Sequence, residues 1–234
     1  ANLGYYSIML GKMVGEKGKV YAVEPSVHNY CMLKLNIALN RLEDVVETFN
    51  IGISNETGTG KFYESAKSNW HTFYPKVHSG TGTESLMTRE PIDVPVMTIG
   101  DFQKGRRKAD LLRMDVEGFE VEIFQSLMPL IRSQDFRPKI LFEVHQPRYD
   151  DNEHNMRDKL RGLFSQGYYT KFLSSNNYEE TTRNFLRRKG YEPDAVVRTD
   201  GRNRGMFHNI ANEDAVELIC DTDFVRSVLL ECRH

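Results

Sequence analysis

ANLGYYSIMLGKMVGEKGKVYAVEP, residues 1–25, reads as a loop, a helix, a turn, a strand and then a carboxylate where the strand stops. Ala1-Asn2-Leu3-Gly4 is a loop of mostly small residues, in which Gly4 can take backbone angles closed to the others. From Tyr5 to Val14 the apolar residues Ile8, Met9, Leu10, Met13 and Val14 recur at helical spacing. Gly15 and Gly18 end that helix and turn the chain. Lys19-Val20-Tyr21-Ala22-Val23 is short, β-prone and largely apolar, the pattern of a buried parallel strand. Glu24 closes it about twenty residues after Gly4, the spacing at which α/β nucleotide sites set a carboxylate against ribose hydroxyls. An ordinary αβ unit with a surface glutamate has the same outline. Pro25-Ser26, a strand stop joined to a helix N-cap, favours the nucleoside reading.

Downstream, Ser26 to Leu39 reads as a helix and Val45 to Ser54 as a strand ending in Gly52-Ile53-Ser54. Asn55 to Glu90 is irregular, with a turn at Asn55–Gly58 and an edge strand over Lys61–Glu64. Ser65 to Thr88 is rich in Ser, Thr, Gly and His around Trp70, His71, Phe73 and Tyr74. A loop of that length is functional or flexible, so Trp70 and His71 are candidate substrate contacts. Ile92 to Ile99 should pair with the earlier edge strand. Leu111 to Asp115 and Lys139 to Glu143 read as parallel strands, with a helix over Gly118–Ile131 that Pro129 should kink or end. Asp150-Asp151 should cap a helix over Asn152–Gln166, and Tyr168 to Leu173 should be a strand. Asn176 to Asn209 is polar and basic with weak periodicity, Ala215 to Cys220 reads as a strand, and Asp223 to Leu230 as a short helix. Strand and helix alternate, which predicts an α/β fold with a mostly parallel sheet and helices on both faces. One domain over 1–234, with a loop/β insertion around 55–100, accounts for the length.

Ligands in such sheets sit outside the carboxyl ends of the strands. Three strands here end in carboxylates: Glu24, Asp115 with Glu117, and Glu143. Asp115 and Glu117 are two apart, as are Glu143 and His145, so each pair faces one way if extended. Asp115 could instead be a helix cap, Glu117 a first-turn charge, and His145 a loop histidine bonded to backbone. Glu143 is harder to dismiss, because an unpaired buried carboxylate is costly.

These residues resemble the S-adenosylmethionine (SAM) methyltransferases of the FkbM family. Ala1-Asn2-Leu3-Gly4-Tyr5-Tyr6-Ser7 is similar to the second half of that family's glycine-rich motif, and Val20-Tyr21-Ala22-Val23-Glu24-Pro25 to its ribose motif. Asn36 to Asn40, Gly52-Ile53-Ser54, Arg113 to Gly118 and Leu141 to His145 follow in the family's order, over about the first two thirds of the chain. The resemblance implies a Rossmann-like class I methyltransferase fold with SAM as cofactor. Its binding residues would be Ala1, Asn2, Gly4, Tyr5, Glu24, Pro25 and Asp115, with Gly52, Ile53 and Ser54 at the adenine. In the family a strand ending in an acidic-x-Gly sequence stands just before Ala-Asn; that first strand is expected upstream of Ala1. The implied reaction moves the methyl group to an acceptor oxygen. His145 is then the expected base, since its unperturbed pKa of about 6.5 is close to working pH. Glu143 would orient it or serve as base itself, Asp115 would share the catalytic pocket, and Glu117, Trp70 and His71 would meet the acceptor. His71 and His78 are two further candidate bases in the long loop. The hard oxygen and imidazole groups would also suit magnesium or manganese. Clusters at such strand ends more commonly hold the cofactor or acceptor, so no metal is assigned.

Composition narrows the rest. A hydrophobic content of 39% supports a real core, and a net charge of -2 gives no drive toward nucleic acid or an anionic membrane. No apolar run is long enough to span a membrane. Cys31, Cys220 and Cys232 are odd in number and lack metal spacing, which suggests a reducing, cytoplasmic setting. A small molecule, sugar or lipid is the expected acceptor. Two other readings stay open: a nicotinamide oxidoreductase, although residues 1–25 contain no G-x-G-x-x-G, and a non-catalytic nucleoside-binding module. A base-directed nucleic-acid methyltransferase would carry Asn/Asp-Pro-Pro-aromatic where Asp115-Val116-Glu117-Gly118 stands.

Overall fold

In the computed structural model, which describes residues 1–75, 90–134 and 136–233, the chain divides into two units of mixed α and β structure. The described part of the first comprises residues 1–75 and 90–102. It begins with α1 (Tyr5–Val14), β1 (Val20–Val23), α2 (Val27–Leu39) and β2 (Val46–Phe49). β1 and β2 pair in parallel, Val20 opposite Val46 and Val23 opposite Phe49. Apolar residues from all these elements converge: Ala22, Leu33, Ile37, Leu42, Val45 and Val46 are buried, with Ile8, Val20 and Tyr30 against them. Ser26 caps α2, its hydroxyl accepting from the Asn29 N–H. Gly4, the N-cap of α1, has φ 98°, and a Cβ there would lie 2.8 Å from Leu33 Cδ1. A side chain at that position would have both backbone strain and a clash.

The single strand expected over Val45–Ser54 is two strands. β2 stops at Phe49, and β3 (Gly52–Ile53) pairs in parallel with β5 (Ile92–Met97) instead. Asn50 causes the break: its side-chain amide donates to the carbonyls of Glu24 and Pro25. β4 (Gly58–Phe62) runs antiparallel to β5, as the edge-strand reading anticipated. Phe73 packs with Phe62, Val94 and Val96. Residues 63–72 are ordered, with Tyr63 bridged to Thr72 and a 3₁₀ turn at Ser68–Trp70. Then α3 (Ile99–Gln103) starts where Thr98 Oγ1 accepts from the Asp101 N–H. His78 and the rest of 76–89 lie outside the described residues.

The second unit runs through β6 (Leu111–Met114), α4 (Glu120–Arg132), β7 (Lys139–Glu143), α5 (Met156–Ser165), β8 (Tyr168–Ser175), α6 (Glu180–Arg188), β9 (Ala195–Thr199), β10 (Arg202–Ile210), α7 (Asn212–Cys220) and β11 (Val225–Cys232). Its sheet has the order β6-β7-β11-β8-β10-β9. Among the described residues of this sheet only β6 and β7 pair in parallel; β7–β11, β11–β8, β8–β10 and β10–β9 are antiparallel. The sheet is therefore mixed, and the expected mostly parallel arrangement is corrected for this unit. Two element assignments cause most of the difference. Ala215–Cys220 belongs to helix α7, whose Ala215, Val216, Leu218 and Ile219 are buried and whose first turn holds Glu213 and Asp214 at the favourable end of the dipole. Residues 225–232 form β11, not a helix; Val225, Val228, Leu230 and Cys232 are buried as the strand inserts between β7 and β8. The segment 176–209 supplies α6 and a hairpin. Its Asp200-Gly201 turn has φ 52° and 75°, the positive values that two-residue hairpins require.

α4 packs with α5, and Phe124 meets Phe142 edge-on at 5.3 Å. Pro129 does not break α4; it sits within the last turn, and the helix ends at Arg132. Asn155, not Asp150 or Asp151, caps α5 by accepting from the Asp158 N–H. No helix among the described residues is long and apolar enough to cross a membrane.

Candidate functional site

In the first unit the loop before α1 is tied to the end of β1. Glu24 is only 5% exposed. Its Oε2 accepts from the Asn2 N–H at 2.6 Å and the Ala1 amino group at 3.1 Å, and Oε1 accepts from the Ser26 N–H at 3.0 Å. The carboxylate thus joins the glycine-bearing loop, the strand end and the helix cap. Asn2 Oδ1 beside it is buried and has no hydrogen-bond partner among the described residues. An orphaned acceptor next to a carboxylate fits a ligand that brings hydroxyl or amino donors, as a nucleoside does. Gly4 is buried, whereas Tyr5 is 75% exposed. Pro25 is half-buried and follows Glu24 directly.

Gly52 and Ser54 are buried and Ile53 is half-buried. A Cβ at Gly52 would lie 2.4 Å from the Phe73 ring, so glycine is needed there for the ring to pack. Ser26 Oγ donates to Glu64 Oε1 at 2.9 Å. His71 Nδ1 accepts from the Ser65 N–H at 2.9 Å. That bond uses the lone pair of one ring nitrogen, and burial lowers the pKa of His71 against the opposing charges of Glu64 and Glu24. A neutral His71 therefore carries its proton on Nε2 and offers a donor, not a base. Trp70 is half-buried, with the Lys67 ammonium 4.1 Å from its ring centroid.

In the second unit the parallel pairing of β6 with β7 sets two strand tips side by side. Asp115 follows the first, Glu143 ends the second, and His145 lies two residues on. The loop between β6 and α4 turns sharply through Glu117 at φ 52° and Gly118 at φ 96°. Arg148 lies over Gly118, so close that a Cβ there would be 2.1 Å from its Cδ. His154, 1% exposed, meets the Gly118 carbonyl through Nε2 at 2.5 Å and pairs with Glu122 through Nδ1 at 3.1 Å.

The structure brings together all four groups expected here. His145 Nε2 lies 3.9 Å from Asp115 Oδ1, 3.6 Å from Glu117 Oε2 and 3.8 Å from Glu143 Oε1. Arg113 pairs with Asp115 Oδ2 at 2.9 Å, and Arg226 on β11 with Glu143 Oε1 at 2.5 Å. Burial, then the charge of Asp115, pushes the Glu143 carboxyl up to about 7, against the pull of Arg226 and His145. Burial alone would lower the pKa of His145. The charges of Glu120 and Glu117 outweigh it and hold the ring well above its usual 6.5. One ligand atom each from Asp115, Glu143 and His145 lies within 4.8 Å of the others, a spacing a divalent cation would accept. Arg113 and Arg226 already supply positive charge to both carboxylates.

Sequence reasoning missed Glu120 and Tyr149. Glu120 accepts from His145 Nδ1 at 2.8 Å through Oε1, and from the Tyr149 hydroxyl at 3.1 Å through Oε2. Its place in the first turn of α4 was a usable signal; its partners, 25 and 29 residues away, carried none.

The Methyltransferase FkbM domain family matches residues 1–193. A methyltransferase of Sordaria araneosa, sdnD, is 26% identical over 157 residues, a match that covers 54% of this chain and 58% of that relative. The chain therefore spans somewhat over half the length of the curated relative it matches. A solved structure of a methyltransferase FkbM from Methylobacillus flagellatus KT matches at 13% identity and a TM-score of 0.42, over 89% of this chain and 41% of the other.

Proposed function

Because the chain belongs to the FkbM methyltransferase domain family, we propose that it is a SAM-dependent methyltransferase acting on a hydroxyl oxygen of a small-molecule, sugar or lipid acceptor. The observation that carries this reading is the gathering of Asp115, Glu117, Glu143 and His145 at the paired tips of β6 and β7. The fit of a nucleoside to the first unit is supported by Glu24 and by the orphaned Asn2 Oδ1. Residues 1–234 would act as one catalytic domain. The free thiols of Cys31, Cys220 and Cys232 suit a reducing compartment such as the cytoplasm.

When bound, SAM supplies an electrophilic methyl group on a cationic sulfur. The chain's own part is to hold, orient and deprotonate. Ala1, Asn2, Gly4, Tyr5, Glu24 and Pro25 would hold the nucleoside, with Gly52, Ile53 and Ser54 at the base. Asp115 and Glu117 would supply negative charge suited to a cationic ligand group. An acceptor hydroxyl must lose its proton as the oxygen attacks. Glu143 is the better proton acceptor, because a carboxyl held near 7 is matched to that task while His145 is held charged. His145 would then supply positive charge beside it. Trp70 and His71 would face the acceptor. In-line displacement depends on alignment, so positioning supplies much of the rate.

The test is calorimetry with S-adenosylhomocysteine and with NADH, followed by transfer from methyl-labelled SAM to a panel of hydroxyl acceptors. Binding of S-adenosylhomocysteine and labelled ether product support the reading. Binding of NADH alone, or of neither ligand, overturns it. Glu143→Gln should abolish most transfer and leave S-adenosylhomocysteine affinity within about twofold, since it removes the proton acceptor and keeps the shape.

A further inference from the structure

Glu120, the first residue of α4, is a fully buried carboxylate whose two oxygens have separate partners. Oε1 meets His145 Nδ1 at 2.8 Å, and Oε2 accepts from the Tyr149 hydroxyl at 3.1 Å. The same hydroxyl accepts from the main-chain N–H of His145 at 3.1 Å. Imidazole, carboxylate and phenol thus close a ring of contacts, and the Gly118 N–H adds a longer one to Oε1 at 3.4 Å. An ionised carboxylate only accepts hydrogen bonds, so the nitrogen facing it must carry a proton. Nδ1 of His145 is therefore the protonated nitrogen whatever the charge on the ring. Nε2 is left turned toward Asp115, Glu117 and Glu143, beyond hydrogen-bond range of each at 3.6 to 3.9 Å. Tyr149 has no such freedom to ionise, because burial and then the charge of Glu120 hold its hydroxyl well above 10.

We propose that Glu120, braced by Tyr149, is a positioning residue of this site: it fixes which ring nitrogen of His145 carries the proton, and holds Nε2 facing Asp115, Glu117 and Glu143. The two residues act through His145 and touch no reacting atom. Removing a fully buried carboxylate's charge changes the field on the ring from the side away from the strand tips. The groups that face the ring are Glu120 from α4, Asp115 and Glu117 from the preceding loop, Glu143 from β7 and Tyr149 from the turn that follows. Arg113, Arg226 and Arg148 supply the compensating charge. Burial of Glu120 would raise its carboxyl, and the charge of His145 outweighs this and keeps it below the usual value. The proposal about roles rests on the transferase reading; the proposal about the ring does not.

Nitrogen NMR of histidine-labelled protein reads the ring directly. The wild type should show His145 protonated on Nδ1, and charged at pH 7. In Glu120→Gln the titration midpoint of His145 should move down and the preference for Nδ1 should disappear. Glu120→Asp should restore part of both. Tyr149→Phe, which keeps the buried ring, should fold and move the midpoint down by less. A wild-type His145 that is neutral with its proton on Nε2, or a titration unchanged in the glutamine and phenylalanine variants, overturns the proposal. If Glu120→Gln does not fold, the wild-type and Tyr149→Phe spectra decide. In the transferase assay, Glu120→Gln should lower kcat by roughly 10–100-fold, the effect of losing one charge-assisted hydrogen bond, with KM for SAM unchanged and partial rescue by aspartate. If the wild type neither binds nor uses SAM, the transferase reading fails while the spectra still judge the ring.

Discussion

Glu24 and Glu120 are both buried carboxylates at the end of a strand or the start of a helix, and they are satisfied in opposite ways. Glu24 takes main-chain N–H groups of Asn2 and Ser26. Glu120 takes chiefly the side chains of His145 and Tyr149, with a longer bond from the Gly118 N–H. The first arrangement depends on backbone shape and holds a loop to a strand. The second depends on two particular side chains and controls a charge. A buried acid with backbone donors is thus a structural joint that a ligand can share, whereas one with side-chain donors is a tuning element.

Breaking the second should cost most. Glu120→Ala strands the buried donors of His145 and Tyr149 and should lower unfolding free energy by about 3–5 kcal/mol. Urea denaturation measures it, and a loss under about 1 kcal/mol would dissolve the contrast. The same pair has a pH signature. Glu120 is held below 4.5, so its contribution is present above 4.5 and is lost as pH falls through its folded value. His145 is held above 6.5, so its contribution is present below 6.5 and is lost as pH rises through its folded value. The pairing is therefore complete between 4.5 and 6.5, where the parent's stability from it is level, and the alanine variant should lose the pair's fall in stability on the acid side of 4.5 and show a smaller one on the alkaline side of 6.5.

Gly118→Ala sharpens the contrast from the loop side. Crowding against Arg148 should cost about 1–3 kcal/mol, with roughly 1 kcal/mol more for positive φ. If the variant is as stable as the parent, Arg148 does not lie over that turn. Glu24→Ala leaves the Asn2 and Ser26 N–H groups without their acceptor and should cost about 1–3 kcal/mol, with a parallel loss of S-adenosylhomocysteine affinity by calorimetry. Stability lost with affinity intact would make Glu24 a joint only. The smallest effect is expected at Ser26→Ala, about 1 kcal/mol for a helix cap. A thermal shift larger than that of Glu24→Ala would reverse the ranking.

How far the sequence reveals this depends on the range over which each contact acts. The α1–β1–α2 run was legible because its cues are local: glycine at a positive φ, a β-prone run, then a serine cap. The four groups at the β6 and β7 tips were legible because strand ends and spacing by two are also local. The α7 and β11 assignments were exchanged because a six-residue apolar run fits either period; the acidic residues before α7 and the central place of β11 in the sheet decided the outcome. Asp200-Gly201 was a plain hairpin signal, hidden in a segment judged by its polarity. The pairing of Glu120 with His145 and Tyr149 was out of reach, since nothing nearby announces a partner 25 or 29 residues away. The tautomer of His71 likewise follows from one main-chain bond made in the folded state.

The lone parallel step in the second unit's sheet has an architectural result. Neighbouring strands that run the same way finish at the same edge, and among the described residues of this sheet only β6 and β7 do so as neighbours. Their tips are the one place where two carboxyl ends can share a ligand without an intervening strand. The β9–β10 hairpin, on the far side of β11, takes no part in that juxtaposition, so its turn can change without moving the two tips.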